Sequence, residues 1–202
     1  MNRKVAIAVA AAAILLLWFL WPSRKITNRD SKGSAIVAFG DSLTAGYGAN
    51  AGEDYPSHLS RKLGVPIINE GVNGDTTESA QPRLSAVLAH NPRIVILGLG
   101  GNDYLRGVPV ATTEANLRSI IRQIHAGGAM VVLLGFNFPS LGANYGKMYD
   151  RVAEEERTLL VPDMLDGILS DPSKKGDDVH PNGTGYAVMA ERVAGPLKRL
   201  MK

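Results

Sequence analysis

Residues 35–48 read AIVAFGDSLTAGYG, and this stretch sets the expectation for the whole domain. Its first part, Ala35–Phe39, is an apolar run with β-branched residues, which is typical of a strand buried on both faces. Gly40-Asp41-Ser42-Leu43 follows at once, so Ser42 lies in a turn where its hydroxyl can project into a cleft. Serine in such a turn is more often a helix cap or a turn former than a nucleophile, so other residues must decide its role.

Short apolar runs alternate with amphipathic stretches along the rest of the domain. Strands are predicted at Ala35–Phe39, Pro66–Asn69, Ile94–Leu99, Met130–Gly135 and Thr158–Val161. Helices are predicted at Tyr55–Leu63, Thr77–Ala89, Glu114–His125, Tyr145–Arg157 and Gly183–Leu200. This alternation, with nearly continuous apolar strands, predicts an α/β fold: a flavodoxin-like three-layer α/β/α sandwich around a five-stranded parallel sheet.

The first 33 residues differ in composition from the rest of the chain. Val5–Trp21 is an unbroken apolar run, and its 17 residues at about 1.5 Å each cover roughly 26 Å, enough for a bilayer core. We therefore expect a transmembrane anchor over residues 1–22, a polar linker over 23–33 and a single domain over 34–202. A cleaved signal segment is the main alternative, although Leu20-Trp21-Pro22-Ser23-Arg24 is a poor cleavage site. A buried core helix is the third.

Polar, glycine-rich clusters follow the predicted strands. Gly71–Thr76 comes after the second strand, Gly100–Asp103 after the third, and Asp177–Asn182 between the fifth strand and the last helix. Because the carboxyl ends of parallel strands meet at one edge of the sheet, where ligands bind in such folds, we expect these clusters to lie near Ser42.

Acyl transfer needs a nucleophile, a base, a group that orients the base, and donors for the oxyanion. Of the four histidines, only His180 falls on this edge, and Asp177, three residues earlier, can reach its ring. The backbone N–H groups of Ser42 and Gly74 and the side-chain amide of Asn102 are candidate oxyanion donors. Each residue alone is more often structural than catalytic. Together, in this order, they predict a serine hydrolase.

Other kinds of site find little support in the sequence. The absence of cysteine excludes disulfides, thiolate catalysis and cysteine-based zinc sites. No pair of histidines has metal-ligand spacing, and no P-loop, intact dinucleotide-binding fingerprint or G-x-S-x-G elbow occurs. The net charge of +3 comes largely from the first 32 residues, so a nucleic-acid partner is not expected. We therefore predict no metal, no cofactor and a monomeric domain.

These residues resemble the markers of the SGNH, or GDSL, hydrolase superfamily, which would correspond here to Ser42, Gly74, Asn102 and His180. The resemblance covers about Ile36–Leu200 and is greatest to the bacterial arylesterase, acyl-CoA thioesterase I and lysophospholipase group. The similar blocks are Phe39–Gly48, Gly74–Thr77, Leu99–Asp103 and Asp177–Asn182. The resemblance implies a three-layer sandwich, metal-free hydrolysis of esters or thioesters, and Asp177 rather than Asp178 as the acid of the triad.

The predicted function is a serine esterase that cleaves carboxylic esters, thioesters or lysophospholipids through an acyl-enzyme. Asp103, Tyr104, Phe138 and Pro139 are candidate residues of the substrate pocket, with Asp103–Pro109 as a mobile loop above it. Two alternatives stay open: a carbohydrate O-acetyl esterase of the cell envelope, and a non-catalytic binding domain displayed at a membrane. We expect the chain to be anchored in a bacterial inner membrane, with the domain outside the cytoplasm.

Overall fold

The computed structural model describes residues 26–137 and 144–202. Five strands form one parallel sheet in the order β2-β1-β3-β4-β5. The strands are β1 Ala35–Gly40, β2 Ile68–Gly71, β3 Pro92–Gly98, β4 Met130–Leu134 and β5 Leu159–Val161. This order is that of flavodoxin-like sheets, and it reverses direction between β1 and β3, where such sheets bind ligands. The predicted five-stranded parallel sheet is confirmed.

Seven α-helices connect or follow these strands in the described part of the chain. They are α1 Ser42–Ala45, α2 Tyr55–Leu63, α3 Leu84–Ala89, α4 Gly101–Leu105, α5 Val110–Ala126, α6 Asn144–Glu155 and α7 Gly183–Met201. Helix α2 packs against α7, whereas α5 packs against α3 and α6. These two groups cover the two faces of the sheet, as the right-handed crossovers of a parallel sheet require.

The core lies between the sheet and these helices. The side chains of β3 and β4 are buried almost without exception, which explains why both strands read as continuous apolar runs rather than alternating ones. On α5, a stripe spaced three and four residues apart is fully buried against β4: Leu117, Ile120, Ile121 and Ile124. Burial of this stripe holds α5 on the sheet, since a helix gains most of its stability from its packed apolar face.

The structure differs from the predicted elements at several strand and helix boundaries. Strand β2 begins at Ile68, two residues later than predicted. The helix predicted over Thr77–Ala89 begins only at Leu84, after a 3₁₀ turn at Gln81–Arg83. Polar side chains before that turn bond to one another and to nearby backbone, which competes with helix formation. Helices α1 and α4 are too short to show a periodic pattern, and the sequence analysis missed both.

The residues that precede β1 are bound to the amino-terminal end of the sheet. The backbone N–H of Thr27 donates to the Arg157 carbonyl at 3.1 Å. The Asn28 side-chain amide donates to two carbonyls around the end of α5, at 2.8 and 3.0 Å. The Arg29 guanidinium donates to carbonyls in the last turn of α7, at 2.7 and 2.8 Å. Part of the predicted linker is therefore attached to the domain, because helix ends leave carbonyls that need donors.

Within residues 26–137 and 144–202, no helix combines the length and the apolar composition that a membrane span requires. The predicted anchor over residues 1–22 lies outside the described residues, and so do the predicted pocket residues Phe138 and Pro139.

Candidate active site

Ser42 lies at the carboxyl end of β1, where the chain turns directly into α1. Asp41 caps this helix, because its side chain accepts a hydrogen bond from the Leu43 N–H at 3.0 Å. Ser42 is the first residue of the helix and its side chain is mostly buried, so the capped turn holds the hydroxyl in one place. The sequence predicts only a turn here, whereas the structure has one turn of helix, Ser42–Ala45, capped by Gly46.

His180 approaches Ser42 from the loop between β5 and α7. Its Nε2 lies 3.0 Å from the Ser42 Oγ, a hydrogen-bond distance between groups separated by 138 residues in the chain. The ring of Tyr47 packs against the imidazole, with ring centroids 4.6 Å apart. Asn182 holds the loop by capping α7 and by donating its side-chain amide to the Ser173 carbonyl at 3.0 Å. The imidazole is therefore held against the serine by contacts on both sides.

Asp177 contacts the other nitrogen of the imidazole. Its carboxylate lies 2.8 and 3.0 Å from the His180 Nδ1 and also accepts the backbone N–H groups of Val179 and His180, each at 2.8 Å. Burial opposes ionisation of Asp177, but these hydrogen bonds outweigh it and hold the pKa of its carboxyl below the usual value. A carboxylate on Nδ1 selects the tautomer that leaves Nε2 free to accept the proton of Ser42.

The two adjacent aspartates differ in position, as the resemblance implies. The side chain of Asp178 is 96% exposed and forms a surface ion pair with Lys175 at 3.1 Å, pointing away from the imidazole. Asp177 itself remains 45% exposed, so it is a surface carboxylate rather than a buried one. The contact between Asp177 and His180 is thus open to solvent on one side.

Asn102 brings a side-chain amide to the same cavity from the first turn of α4. Its Nδ2 donates to the Asp75 carbonyl at 3.0 Å and makes a longer contact with the Asp41 Oδ2 at 3.4 Å. The first bond orients the amide, and the weakness of the second leaves one N–H able to turn toward a ligand. The turn before α4 requires glycine at Gly100, where φ is +113° and a side chain would meet the Tyr149 hydroxyl.

Gly74 lies in the loop after β2, next to the residue whose carbonyl accepts the Asn102 amide. Its φ of +82° is left-handed, a conformation that glycine adopts without strain. Arg83 holds this loop to the sheet: its guanidinium forms an ion pair with Asp75, with Nε at 2.8 Å, and donates to the Gly40 carbonyl at the end of β1. The structure therefore brings Ser42, His180, Asp177 and Asn102 together and places the Gly74 loop beside them.

Asp41 is the titratable group of this site with the most unusual environment. Complete burial raises the pKa of its carboxyl to about 7, against the lowering effect of the hydrogen bond from the Leu43 N–H. The charges of Asp75 and Asp103 raise it further. Asp41 therefore keeps its proton well above the pH at which a solvated aspartate loses it.

The cavity at Ser42 is shallow, with a volume of about 80 Å³. Its polar lining comes from Asp41, Ser42, Asn102 and His180, and four apolar side chains complete it: Leu43, Leu105, Leu165 and Val179. The exposed large hydrophobic side chains in the described part of the chain are Tyr47, Val72, Leu105 and Val179. All four lie in segments that surround the cavity. The sequence does not predict this apolar rim, because single apolar residues outside long helices and strands show no periodic pattern.

Two of the predicted pocket residues lie elsewhere in the structure. Asp103 is only 1% exposed, and its carboxylate accepts hydrogen bonds from the backbone and hydroxyl of Thr77 instead of lining the cavity. Tyr104 packs edge-on against Tyr145, with ring centroids 5.9 Å apart. The predicted mobile loop over Asp103–Pro109 begins inside α4. The reason is helical geometry, because consecutive residues on a helix point about 100° apart, so the neighbours of Asn102 face other directions.

Metal chemistry has no evident ligand set here. Among residues 26–137 and 144–202, no three histidine or acidic side chains group closely enough to hold a metal ion. What the arrangement offers is a hydroxyl, an imidazole, a carboxylate and amide donors in one cavity, which are the groups that acyl transfer uses.

Comparisons with known proteins point to one family. A model of the GDSL-like lipase/acylhydrolase family matches residues 38–188. The chain is 32% identical over 188 residues to the thioesterase 1/protease 1/lysophospholipase L1 of Escherichia coli (strain K12), covering 87% of this chain and 89% of that protein. It is 34% identical over 177 residues to an arylesterase of Vibrio mimicus, covering 80% of this chain and 87% of the relative. A crystal structure of TesA matches with a TM-score of 0.78 at 32% identity, covering 83% of this chain and 99% of that structure.

Proposed function

The chain belongs to the GDSL-like lipase/acylhydrolase family and is a serine hydrolase of the SGNH group that acts on ester bonds, and on that premise we propose that Ser42, His180 and Asp177 carry out the reaction as a catalytic triad. The observation that carries the proposal is the chain of contacts from the Ser42 Oγ through the His180 ring to Asp177, at 3.0 and 2.8 Å. The substrate is a carboxylic ester with an apolar acyl group.

The reaction begins when the His180 Nε2 removes the proton of Ser42 as its Oγ attacks the ester carbonyl. Asp177 stabilises the imidazolium that forms, through the bond to Nδ1. The imidazolium then gives its proton to the departing alcohol or thiol, which leaves an acyl group on Ser42. Water, activated by the same imidazole, releases the acid and restores the serine.

The oxyanion of each tetrahedral intermediate is bound by the backbone N–H groups of Ser42 and Gly74 and by the Asn102 amide. The Asn102 amide already donates one hydrogen to the Asp75 carbonyl, so it is oriented before the substrate arrives. Donors fixed in advance need no reorganisation during the reaction, which is why such groups contribute so much to the rate.

The apolar lining of the cavity favours a substrate with a hydrocarbon acyl chain. The cavity of about 80 Å³ would receive the first carbons of such a chain. The rest of a longer chain would lie along the rim, where Leu105 and Val179 are exposed. The names of the relatives include thioesterase and lysophospholipase, and both substrate types carry such a chain. An acetylated sugar would instead need hydrogen-bonding groups for its hydroxyls, and the polar side chains that line the cavity are those of Asp41, Ser42, Asn102 and His180.

Labelling with a fluorophosphonate ester tests the nucleophile. We expect the wild type to be labelled and Ser42→Ala to resist labelling, while Ser85→Ala, a control on the exposed side of α3, behaves as wild type. Labelling of Ser42→Ala would show that another residue is the nucleophile. The substrate is tested with nitrophenyl esters of increasing chain length, acyl-CoAs, lysophospholipids and acetylated sugars. A clear preference for acetylated sugars would contradict the proposed acyl specificity.

For the location of the enzyme, we propose that Val5–Trp21 anchors it in a bacterial inner membrane, with the domain outside the cytoplasm. The support is the sequence itself, an apolar run long enough for a bilayer core and flanked by basic residues. Full-length protein should stay with the membrane after a carbonate wash, whereas a fragment of residues 26–202 should be released. Recovery of full-length protein in the wash, or of a shorter mature chain, would contradict the anchor.

A further inference from the structure

Asp103 follows Asn102 directly on α4, yet the two side chains point to different places. Asn102 faces the cavity, whereas Asp103 is buried in the protein with 1% of its surface exposed. Burying a carboxyl group is unfavourable unless it is well hydrogen-bonded, so its contacts need an explanation. Nothing in the proposed reaction uses Asp103, because it does not reach the cavity.

The carboxylate of Asp103 binds the segment that follows Gly74. Its Oδ2 accepts the backbone N–H of Thr77 at 2.8 Å, and its Oδ1 accepts the Thr77 hydroxyl in a short hydrogen bond. The hydroxyl of Thr113, on α5, makes a longer contact with Oδ1 at 3.4 Å. The Asn116 amide in turn donates to the Thr77 Oγ1 at 3.1 Å. Thr77 and Thr113 are fully buried, so their contacts with Asp103 are shielded from water.

These contacts connect the two short segments that supply separate oxyanion donors. Asn102 lies on α4, a helix of five residues, and Gly74 lies in the loop after β2. Neither segment is long enough to be rigid by itself, since a single helical turn is unstable without tertiary contacts. The Asn102 amide bonds to the loop at the Asp75 carbonyl, and Asp103 bonds to it two residues later, at Thr77.

We propose that Asp103 is a positioning residue of the oxyanion hole, which fixes the distance between the Asn102 amide and the Gly74 N–H by bonding α4 to Thr77. The proposal rests on the proposed function, since it assumes that these two groups bind the oxyanion. Asp103 acts through its neighbours and does not touch substrate. Donors that shift by a few tenths of an ångström bind the ground state almost as before but lose contact with the oxyanion, so the effect falls on kcat.

The test compares Asp103→Ala and Thr77→Val with Thr77→Ser in the full-length protein. Removing one oxyanion donor outright costs about 10²–10³-fold in kcat. We expect Asp103→Ala to lower kcat by about 10²-fold and Thr77→Val by about tenfold, with KM within about twofold. Thr77→Ser keeps the hydroxyl and should retain nearly wild-type kcat. Affinity for a boronic acid that forms a tetrahedral adduct should fall by the same factor as kcat.

A second comparison separates positioning from a general loss of stability. Ile121→Val, in the core on α5, destabilises the fold away from the cavity and should leave kcat unchanged at temperatures well below unfolding. Asp103→Ala should cost about 10²-fold in the wild type but no more than about tenfold in an Asn102→Ala background, because the donor that it positions is then missing. If Asp103→Ala does not fold, the loss of kcat caused by Thr77→Val is measured instead, in the wild type and in Asn102→Ala.

The proposal is overturned if kcat of both variants is unchanged, if KM rises in place of a fall in kcat, or if the losses are equal in the two backgrounds. Equal losses would mean that Asp103 affects the rate independently of the Asn102 amide. A wild type that cleaves no ester and resists the fluorophosphonate would instead overturn the proposed function, so the two failures give different results.

Discussion

The two ends of the parallel sheet differ in the polar groups that they contain and in what those groups contact. At the carboxyl ends of the strands, Asp41, Asp103 and Thr77 are buried polar groups, and Gly74 and Gly100 have left-handed backbones. At the amino ends, polar side chains serve mainly to satisfy the ends of helices, as Asn28 and Arg29 do for α5 and α7. A buried polar group costs stability unless it is fully bonded, so the first end holds groups that the fold alone does not need. Substitutions of the proposed catalytic groups at the carboxyl end should therefore change the rate, whereas substitutions at the amino end should change only the stability.

The largest difference between the effect on the rate and the effect on stability is expected at Ser42. Ser42→Ala should lower kcat by about 10⁶-fold, by analogy with serine proteases that lose their nucleophile. The thermal midpoint should change little, because the proposed catalytic bond to His180 is not needed by the fold. Rate measurements on a nitrophenyl ester and thermal unfolding of the same sample give both numbers. A large loss of stability with the loss of rate would break the comparison between the two ends.

The two adjacent aspartates give the next largest effect. In a buried triad, the change of the aspartate to asparagine costs about 10⁴-fold in kcat. Asp177 is 45% exposed, so solvent takes over part of its role, and we expect Asp177→Asn to cost less than that value but at least about tenfold. Asp178→Asn should change kcat/KM by no more than about threefold, because an exposed ion pair contributes little. Measuring kcat/KM of both variants across pH checks the assignment. A larger loss in Asp178→Asn than in Asp177→Asn would assign the acid of the triad to Asp178.

Substitution of Asn102 should distinguish binding of the transition state from binding of the substrate. Asn102→Ala should cost about 2.7–4 kcal/mol of transition-state stabilisation if its amide is an oxyanion donor. That loss should appear in kcat, with KM nearly unchanged. Steady-state kinetics on one activated ester are sufficient. A rise in KM alone would assign Asn102 to ground-state binding.

Asp41 should make this end of the sheet less stable as the pH rises. Burial raises the pKa of the native carboxyl to about 7, whereas in the unfolded chain its pKa is the ordinary aspartate value of 3.8. Between these values the unfolded state binds fewer protons, so the free energy of unfolding falls with rising pH, by up to about 4 kcal/mol for a shift of this size. Asparagine cannot ionise, so Asp41→Asn should lack this contribution. Denaturant unfolding of both proteins from pH 4 to pH 8 measures it, and parallel curves would contradict the raised pKa.

The smallest effect of a substitution is expected at the amino ends of the strands, where Arg29 lies. Arg29→Ala removes the donors to the last turn of α7 and should lower the free energy of unfolding by about 1 kcal/mol, with kcat unchanged. Lys32→Ala, an exposed position three residues later, is the matched control and should have no effect. By the same reasoning, a fragment of residues 26–202 should unfold at a higher temperature than one of residues 32–202, which we still expect to be active. Loss of activity in either variant would mean that the two ends are coupled.

Much of this protein follows from local patterns in its sequence. The apolar runs of β1, β3 and β4 predict buried parallel strands, because such strands show little alternation. The spacing of the apolar residues on α5 predicts the face that packs on the sheet. The candidate residues Ser42, Asn102 and His180 could be named because each lies in a polar cluster between a strand and the next helix, and parallel strands bring such clusters to one edge. Their contacts with one another follow from that topology.

Other features depend on contacts that no local pattern records. Asp103 was expected in the pocket, but its direction is set by Thr77, 26 residues earlier in the chain. Residues 27–29 read as a polar linker, yet their partners lie about 100 or more residues away, at helix ends that only the folded chain brings near. Sequence by itself therefore determined the type of sheet, the edge that carries the site and the residues that meet there, because these follow from periodicity and strand direction. Only the tertiary structure decided which residues near Asn102 face the cavity and which polar side chains support the fold instead. The physical reason is that the direction of a side chain on a one-turn helix, and hydrogen bonds between residues distant in the chain, are set only when the chain packs.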